Sequence, residues 1–190
     1  MPLLVLIHFL KGTKTGKYFV DSTKLPLCHN LRINRNKVFK DCAKRCKTST
    51  GWFFGFKLHL IINYKGEIMN FTMTSGNVHD TQVVEALSAR LKCWLFGDRG
   101  YVSKGLSESL KKQGLELITT LKKGMKQRVL EPLQNHYMKQ RSIPKTMIDQ
   151  LKNIMTIDHT RYRSAMNLQG QCFKWTFAIY FQTKKTISRI

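Results

Sequence analysis

The sequence predicts an α/β fold, a mixed five-stranded sheet flanked by helices, from three observations. An initial run of β-prone segments gives way to alternating helical and strand segments. Two of those strands close on an aspartate, Asp21 and Asp98. The 190 residues, 42% of them hydrophobic, suffice for one domain with a sizeable core. The stretch Leu95-Phe96-Gly97-Asp98-Arg99-Gly100-Tyr101 organises the rest, because a strand that ends in an acid between glycines presents that carboxylate at a sheet edge, open to a cation or a phosphate. Asp98 is also compatible with a simple turn residue before Arg99 and Gly100.

Each element has its own signal. Lys11 to Lys17 is a Gly/Thr/Lys turn leading into a strand over Tyr18 to Asp21. Trp52 to Tyr64 alternates Trp52, Phe54, Phe56, Leu58 and Leu60 with Phe53, Lys57, His59 and Ile61, which predicts a long strand with apolar residues on both faces. Asn63-Tyr64-Lys65-Gly66 turns the chain into a partner strand, Glu67 to Thr74. A helix is predicted from His79-Asp80-Thr81-Gln82 onward, with Asp80 or Thr81 as its cap and Val83, Val84, Leu87 and Leu91 on one face. Ser103 to Gln113 is a second helix, closed by Gly114, and Leu115 to Leu121 a fifth strand. Leu133 to Met155 has helical spacing broken by Pro144, which can be placed only at a helix start or a kink.

Charge narrows the partner. Lys and Arg number 33 against 11 Asp and Glu, a formal net charge of +22. Such an imbalance favours a polyanion, above all nucleic acid, since each phosphate neutralised releases condensed counterions. From Arg32 to Lys47 the cations Arg32, Arg35, Lys37, Lys40, Lys44, Arg45 and Lys47 face one acid, Asp41, a pattern that predicts a loop tracking phosphates. Lys122 to Arg128 reads the same way. Five cysteines without a repeating spacing describe no disulfide framework and point to a reducing compartment. Cys28, His29, Cys42 and Cys46 have poor spacing for structural zinc. His59 reads as a core histidine or one supporting the site. Pro2 to Leu10 is apolar but too short to span a bilayer, and no membrane role is expected.

The order strand, two-stranded hairpin, helix, strand, helix, strand, long helix, with aspartates closing the first and fourth strands, is that of the ribonuclease-H-like fold. Two acids ending adjacent central strands there can bridge a pair of divalent cations, for which oxygen donors are the appropriate ligands. The segments Val20-Asp21-Ser22-Thr23, Cys28-His29-Asn30, Gly51-Trp52-Phe53-Phe54-Gly55-Phe56-Lys57-Leu58-His59, Ser75-Gly76-Asn77-Val78-His79-Asp80 and Phe96-Gly97-Asp98-Arg99-Gly100-Tyr101 resemble, in order, a bacterial insertion-sequence transposase of the DDE type. The resemblance runs from Phe19 to Arg163 and is strongest to the insertion-sequence family numbered nine hundred and eighty-two.

That resemblance implies cleavage and strand transfer of transposon DNA by two Mg²⁺ or Mn²⁺ ions held by three acids, of which Asp21 and Asp98 match the first two. The third is implied to be a glutamate within a helical pattern of arginine, three residues, glutamate, six residues, lysine. Arg141 and Lys152 match the ends of that pattern, and Lys145 occupies the glutamate position. An ammonium there removes an oxygen donor and opposes the cations, so impaired catalysis is expected. Asp149, one helical turn on, is the candidate replacement, and Asp158 a weaker one. Arg99, Arg141, Lys152, Arg161 and Arg163 join the cations expected on DNA, and Arg99 and Tyr101 beside Asp98 read as phosphate and base contacts or as plain surface. The expected organisation is a leader or remnant over 1–16, a catalytic domain over 17–165 and a tail over 166–190, in a truncated, degenerate copy. Its expected partner is double-stranded DNA, as transposon ends and target, bound as a homodimer in the cytoplasm with the nucleoid. Two readings stay open, an impaired transposase and a catalytically silent DNA-binding remnant.

Overall fold

The computed structural model describes residues 12–48, 51–120, 124, 129–155, 164, 166–168 and 170. Within them the strands β1 (Lys17–Cys28), β2 (Lys44–Thr48), β3 (Gly51–Asn63), β4 (Ile68–Ser75), β5 (Cys93–Gly97) and β6 (Leu115–Thr119) form one mixed sheet in the order β2-β3-β1-β5-β6, with β4 also paired to β3. The helices are α1 (Asp80–Leu87), α2 (Lys104–Lys112), α3 (Pro132–Lys139) and α4 (Ser142–Met155). This is a curled mixed sheet flanked by helices, the ribonuclease-H-like α/β architecture.

The sheet has six strands where the sequence predicts five. The sixth is β2, inside the run of cations expected to be a loop. Its lysines and arginine are exposed along a sheet edge, where charge discourages pairing with another chain, so an edge strand can look like a loop in sequence. A 3-10 turn, Asn30–Arg35, precedes it.

The first strand also outruns its predicted end. Beyond Asp21 it continues through Thr23 and Leu25, buried against Leu58 and Phe56 of β3, and Asp21 therefore lies inside β1 rather than at its close. Pro26 is tolerated because it sits where the register shifts, opposite Gly55. Gly55 itself is required there, since a Cβ would lie 2.1 Å from the Leu25 carbonyl oxygen. β3 divides its other edge between two partners, with β2 along Gly51 to Gly55 and β4 along Phe56 to Ile62.

Strand alternation sorts the core into two layers. On one face Phe19, Phe56, Leu60, Ile62 and Phe96 pack with Met138 of α3 and Met147 and Ile148 of α4. On the other Tyr18, Val20, Ile61 and Leu95 pack with Val84 and Leu87 of α1 and Leu106 and Leu110 of α2. Three boundaries differ from the sequence expectation. His79, not Asp80 or Thr81, caps α1, its imidazole accepting from the Thr81 N–H. β6 ends at Thr119 instead of Leu121. The long helix divides at Gln140 and Arg141, a few residues before Pro144, which thereby takes one of its two expected places, the first turn of a helix, where a missing N–H costs nothing.

Candidate active site

Parallel pairing sets the central pair of acids. Phe19 of β1 stands opposite Phe96 of β5. Two residues further along each chain stand Asp21 and Asp98, both in extended backbone, so the two-residue period places both carboxylates on the same face of neighbouring strands. Glycine at 97 relieves crowding here, for a Cβ would be 3.1 Å from the Tyr101 ring and 3.2 Å from Val20. It is also the face on which α4 packs against β1 and β3.

The two acids differ in environment. Asp98 is exposed and caps the 3-10 turn Arg99–Tyr101, its Oδ1 accepting from the Arg99 N–H at 2.7 Å and from the Thr120 hydroxyl at 3.4 Å. Asp21 is half-buried, and its Oδ1 accepts from the Ser22 N–H at 2.8 Å. Burial pushes its carboxyl above the ordinary range. The Ser22 N–H and the Lys145 ammonium oppose that shift, while the carboxylates of Asp98 and Asp80 add to it. The structure thus brings Asp98, Asp80 and Lys145 within electrostatic reach of Asp21.

A polar relay lies behind Asp21. The Ser22 hydroxyl donates to Asp80 Oδ2 at 3.1 Å, and Lys57 Nζ pairs with Asp80 Oδ1 at 3.0 Å while also donating to the Val78 carbonyl at 3.0 Å. Lys57 therefore fixes Asp80, Asp80 fixes Ser22, and the Ser22 backbone holds the Asp21 carboxylate. His59 is buried, shares a 2.9 Å hydrogen bond with Thr74, and is held neutral mainly by burial and by the nearby Lys57, against the pull of Asp80. Burial and the carboxylates of Asp80, Asp21 and Asp98 likewise push the Tyr101 phenol well above its ordinary range. Its hydroxyl lies beside Ser22 but meets hydrogen-bond geometry with none of the described residues.

The sequence did not single out Asp80, Lys57 or Ser22 as members of the site, and Tyr101, expected beside Asp98 as a contact for DNA, is instead buried. A signal was present: Lys57 and His59 share one face of an otherwise apolar strand, and a charge placed there demands a buried counter-ion.

Other expected site residues are distributed more widely. Asp149 is exposed on α4, one turn beyond Lys145. Lys152 lies on the same helix and is half-buried. Arg141 joins α3 to α4, with its Nη1 buried and unpartnered among the described residues. Arg99 is exposed beside Asp98. Arg32 and Arg35 lie in the 3-10 turn, Lys37 and Lys40 in the loop after it, and Lys44, Arg45 and Lys47 on β2, all exposed. Lys47 pairs with Trp52, whereas Asp21 pairs with Leu60. Eight residues of β3 separate those points, roughly 26 Å along the strand, so the cationic edge is a second surface and not a wall of the acidic site. Asp158, Arg161, Arg163 and Lys122 to Arg128, apart from Gly124, lie outside the described residues, as do 1–11 and most of 166–190.

Among the described residues the donor set does not fit a two-metal centre. Such a centre needs oxygen ligands from several carboxylates. Here two carboxylates stand with an ammonium, and among the described residues no group of three His, Cys, Asp or Glu side chains converges to hold a metal ion.

The model of a family described as "Transposase DDE domain" matches residues 11–165, well over half of the chain. The chain belongs to that transposase DDE domain family. Among solved structures, one chain of the piggyBac transposase synaptic complex with hairpin DNA superposes with a TM-score of 0.59 at 11% identity, covering 93% of this chain and 49% of that one. A chain of the simian T-cell lymphotropic virus intasome in complex with PP2A regulatory subunit B56 gamma has a TM-score of 0.33 at 12% identity, over 79% of this chain and 50% of that one. At these identities the piggyBac superposition speaks for the fold alone, and this chain spans about half the length of each solved chain. No curated protein matches the chain. The transposase DDE lineage and the ribonuclease-H-like architecture thus agree.

Proposed function

We propose that this chain is a DNA-binding transposase domain whose cleavage centre is silenced by Lys145. One observation carries the reading: the Lys145 ammonium, projected from α4, acts on Asp21 where the lineage's pattern calls for a glutamate. A cation there neutralises part of the charge with which Asp21 and Asp98 would attract a divalent ion, and it contributes no ligand. The element is an insertion sequence of family nine hundred and eighty-two, a reading supported by the order of the five motifs. Duplex DNA, as element ends and target, is its partner, supported by the net charge of +22, and two copies of the chain would pair two ends in the cytoplasm.

Nicking of pre-nicked plasmid DNA with Mn²⁺ at high protein concentration tests the proposal. The unmodified chain is expected to cut feebly or not at all. Lys145→Glu restores an oxygen ligand and should raise metal-dependent nicking about a hundredfold, if one charge-stabilising group contributes about 2.7–4 kcal/mol. Robust nicking by the unmodified chain, abolished by Asp149→Asn and indifferent to Lys145→Glu, would overturn silencing and make Asp149 the third ligand.

A further inference from the structure

The edge of the sheet farthest from the acids carries an aromatic side chain that the core does not use. Trp52, near the start of β3, is 51% exposed. Its position is nonetheless fixed, because its backbone pairs with Lys47 of β2 and its carbonyl accepts from Asn30 Nδ2 at 2.9 Å. The Arg45 guanidinium lies over its ring at 4.8 Å from the centroid, an arrangement worth little in water beyond orienting both groups. Leu31, next to Asn30, is 87% exposed. A large apolar surface held rigidly in solvent is the form of a contact surface.

What flanks the tryptophan identifies its occupant. The β2–β3 register pairs Arg45 with Phe54 and Lys47 with Trp52, so strand periodicity puts these four side chains on one face. On that face a cleft of about 660 Å³ is lined by Phe54, Arg45, Lys44, Lys40 and Lys37. No acidic side chain lines it, although Asp41 is exposed in the adjoining turn. A cationic cleft that shares Arg45 with an exposed indole matches a polynucleotide whose phosphates lie along the cations and whose base stacks on the ring. A paired base cannot reach such a ring without leaving its stack, so the surface favours single-stranded over duplex DNA.

We infer that Trp52, with Arg45 and the Lys37–Lys40–Lys44 cleft, forms a stacking platform for an unpaired nucleotide of single-stranded DNA. Arg45 joins the two halves, since its guanidinium lies over the indole and its side chain also lines the cleft. The inference is independent of whether the acidic site cuts.

Fluorescence anisotropy in EDTA, with an oligo-dT of about 12 nucleotides and a duplex of equal length, tests it. Trp52→Ala should weaken oligo-dT binding about tenfold or more while changing duplex binding less than about twofold, given the usual loss on deleting a stacking aromatic. Trp52→Phe should keep most of the affinity, which guards against a misfolded alanine variant. Oligo-dT should also quench indole emission in the unmodified chain and much less in Trp52→Phe, where Trp94 and Trp175 remain. Equal weakening of both DNA forms, or no weakening with unchanged emission, overturns the platform. A shift of Trp52→Ala to a smaller species in sedimentation, with single-strand affinity intact, assigns the surface to self-association instead.

Discussion

Around Asp21, charges of both signs are drawn together under partial burial, whereas along the 3-10 turn and β2 seven cations stand exposed beside the single acid Asp41. In the first region polar groups are chained by defined contacts: Lys57 with Asp80, Asp80 with Ser22, Ser22 with Asp21. In the second the cations face solvent, and only Trp52 gives one of them a fixed direction. The contrast separates two uses of charge. Partly buried charges set geometry and proton affinity, and disturbing one strands its partner. Exposed like charges set a long-range field, and each contributes additively and is screened by salt.

The sharpest way to break the comparison is Lys57→Met. The side chains of Lys57 and Asp80 are only 13% and 25% exposed, so removing the ammonium leaves a carboxylate largely desolvated and unpaired. Fully buried pairs cost about 3–5 kcal/mol when broken this way, and partial exposure reduces the expected loss to about 2–3 kcal/mol. Thermal unfolding should shift down by about 5–10 °C. Adding Asp80→Asn should recover part of that loss, because the second change removes the stranded charge. A loss below about 0.5 kcal/mol in denaturant titration would place this pair with ordinary surface ion pairs.

The cationic edge should respond in the opposite way. Lys37→Ala, Lys40→Ala and Lys44→Ala together are expected to leave stability within about 0.5 kcal/mol per site. The slope of log affinity for duplex DNA against log salt should fall by about 2–3, near 0.9 for each phosphate that is no longer neutralised. Lys145→Glu should alter that slope far less than the triple change does. An unchanged slope in the triple variant would show that these lysines do not meet phosphate.

The same contrast governs what the sequence reveals. Period-two alternation located β3, the turn after it located β4 and a short apolar run located β5, because apolar residues and turn signals report strand burial and strand ends directly. The end of β1 was not legible, for a polar residue such as Asp21 within a strand looks like its terminus. Nor was β2, because edge strands carry the charges that elsewhere mark loops. Asp98 stands out through its glycines, and Lys145 through its place in a motif. The relay of Lys57, Asp80 and Ser22 is assembled from three separate elements, β3, α1 and β1, and only their packing shows which charges meet.

The smallest expected effect is the most specific to Asp21. Its carboxyl titrates higher in the folded chain than in the unfolded one, with burial the leading cause, so the native state binds the extra proton through the window between those two values. Stability from this group is therefore fully present below the ordinary carboxylate range and is lost as pH rises through the raised native value. Asp21→Asn keeps an oxygen to accept from the Ser22 N–H and discards the charge. It should raise the melting temperature near pH 7, and the gain should vanish below the ordinary carboxylate range, where the unmodified carboxyl is protonated in both folded and unfolded chains. Comparing the two variants at each pH cancels the general effect of acid on so basic a chain. Lys145 sharpens the test, since its ammonium lowers the Asp21 value. In a Lys145→Ala background the neutral-pH gain from Asp21→Asn should be larger. A gain that shrinks in that background, or a loss near pH 7 in the parent, would mean that Lys145 outweighs burial and that Asp21 is a stabilised carboxylate instead of a strained one.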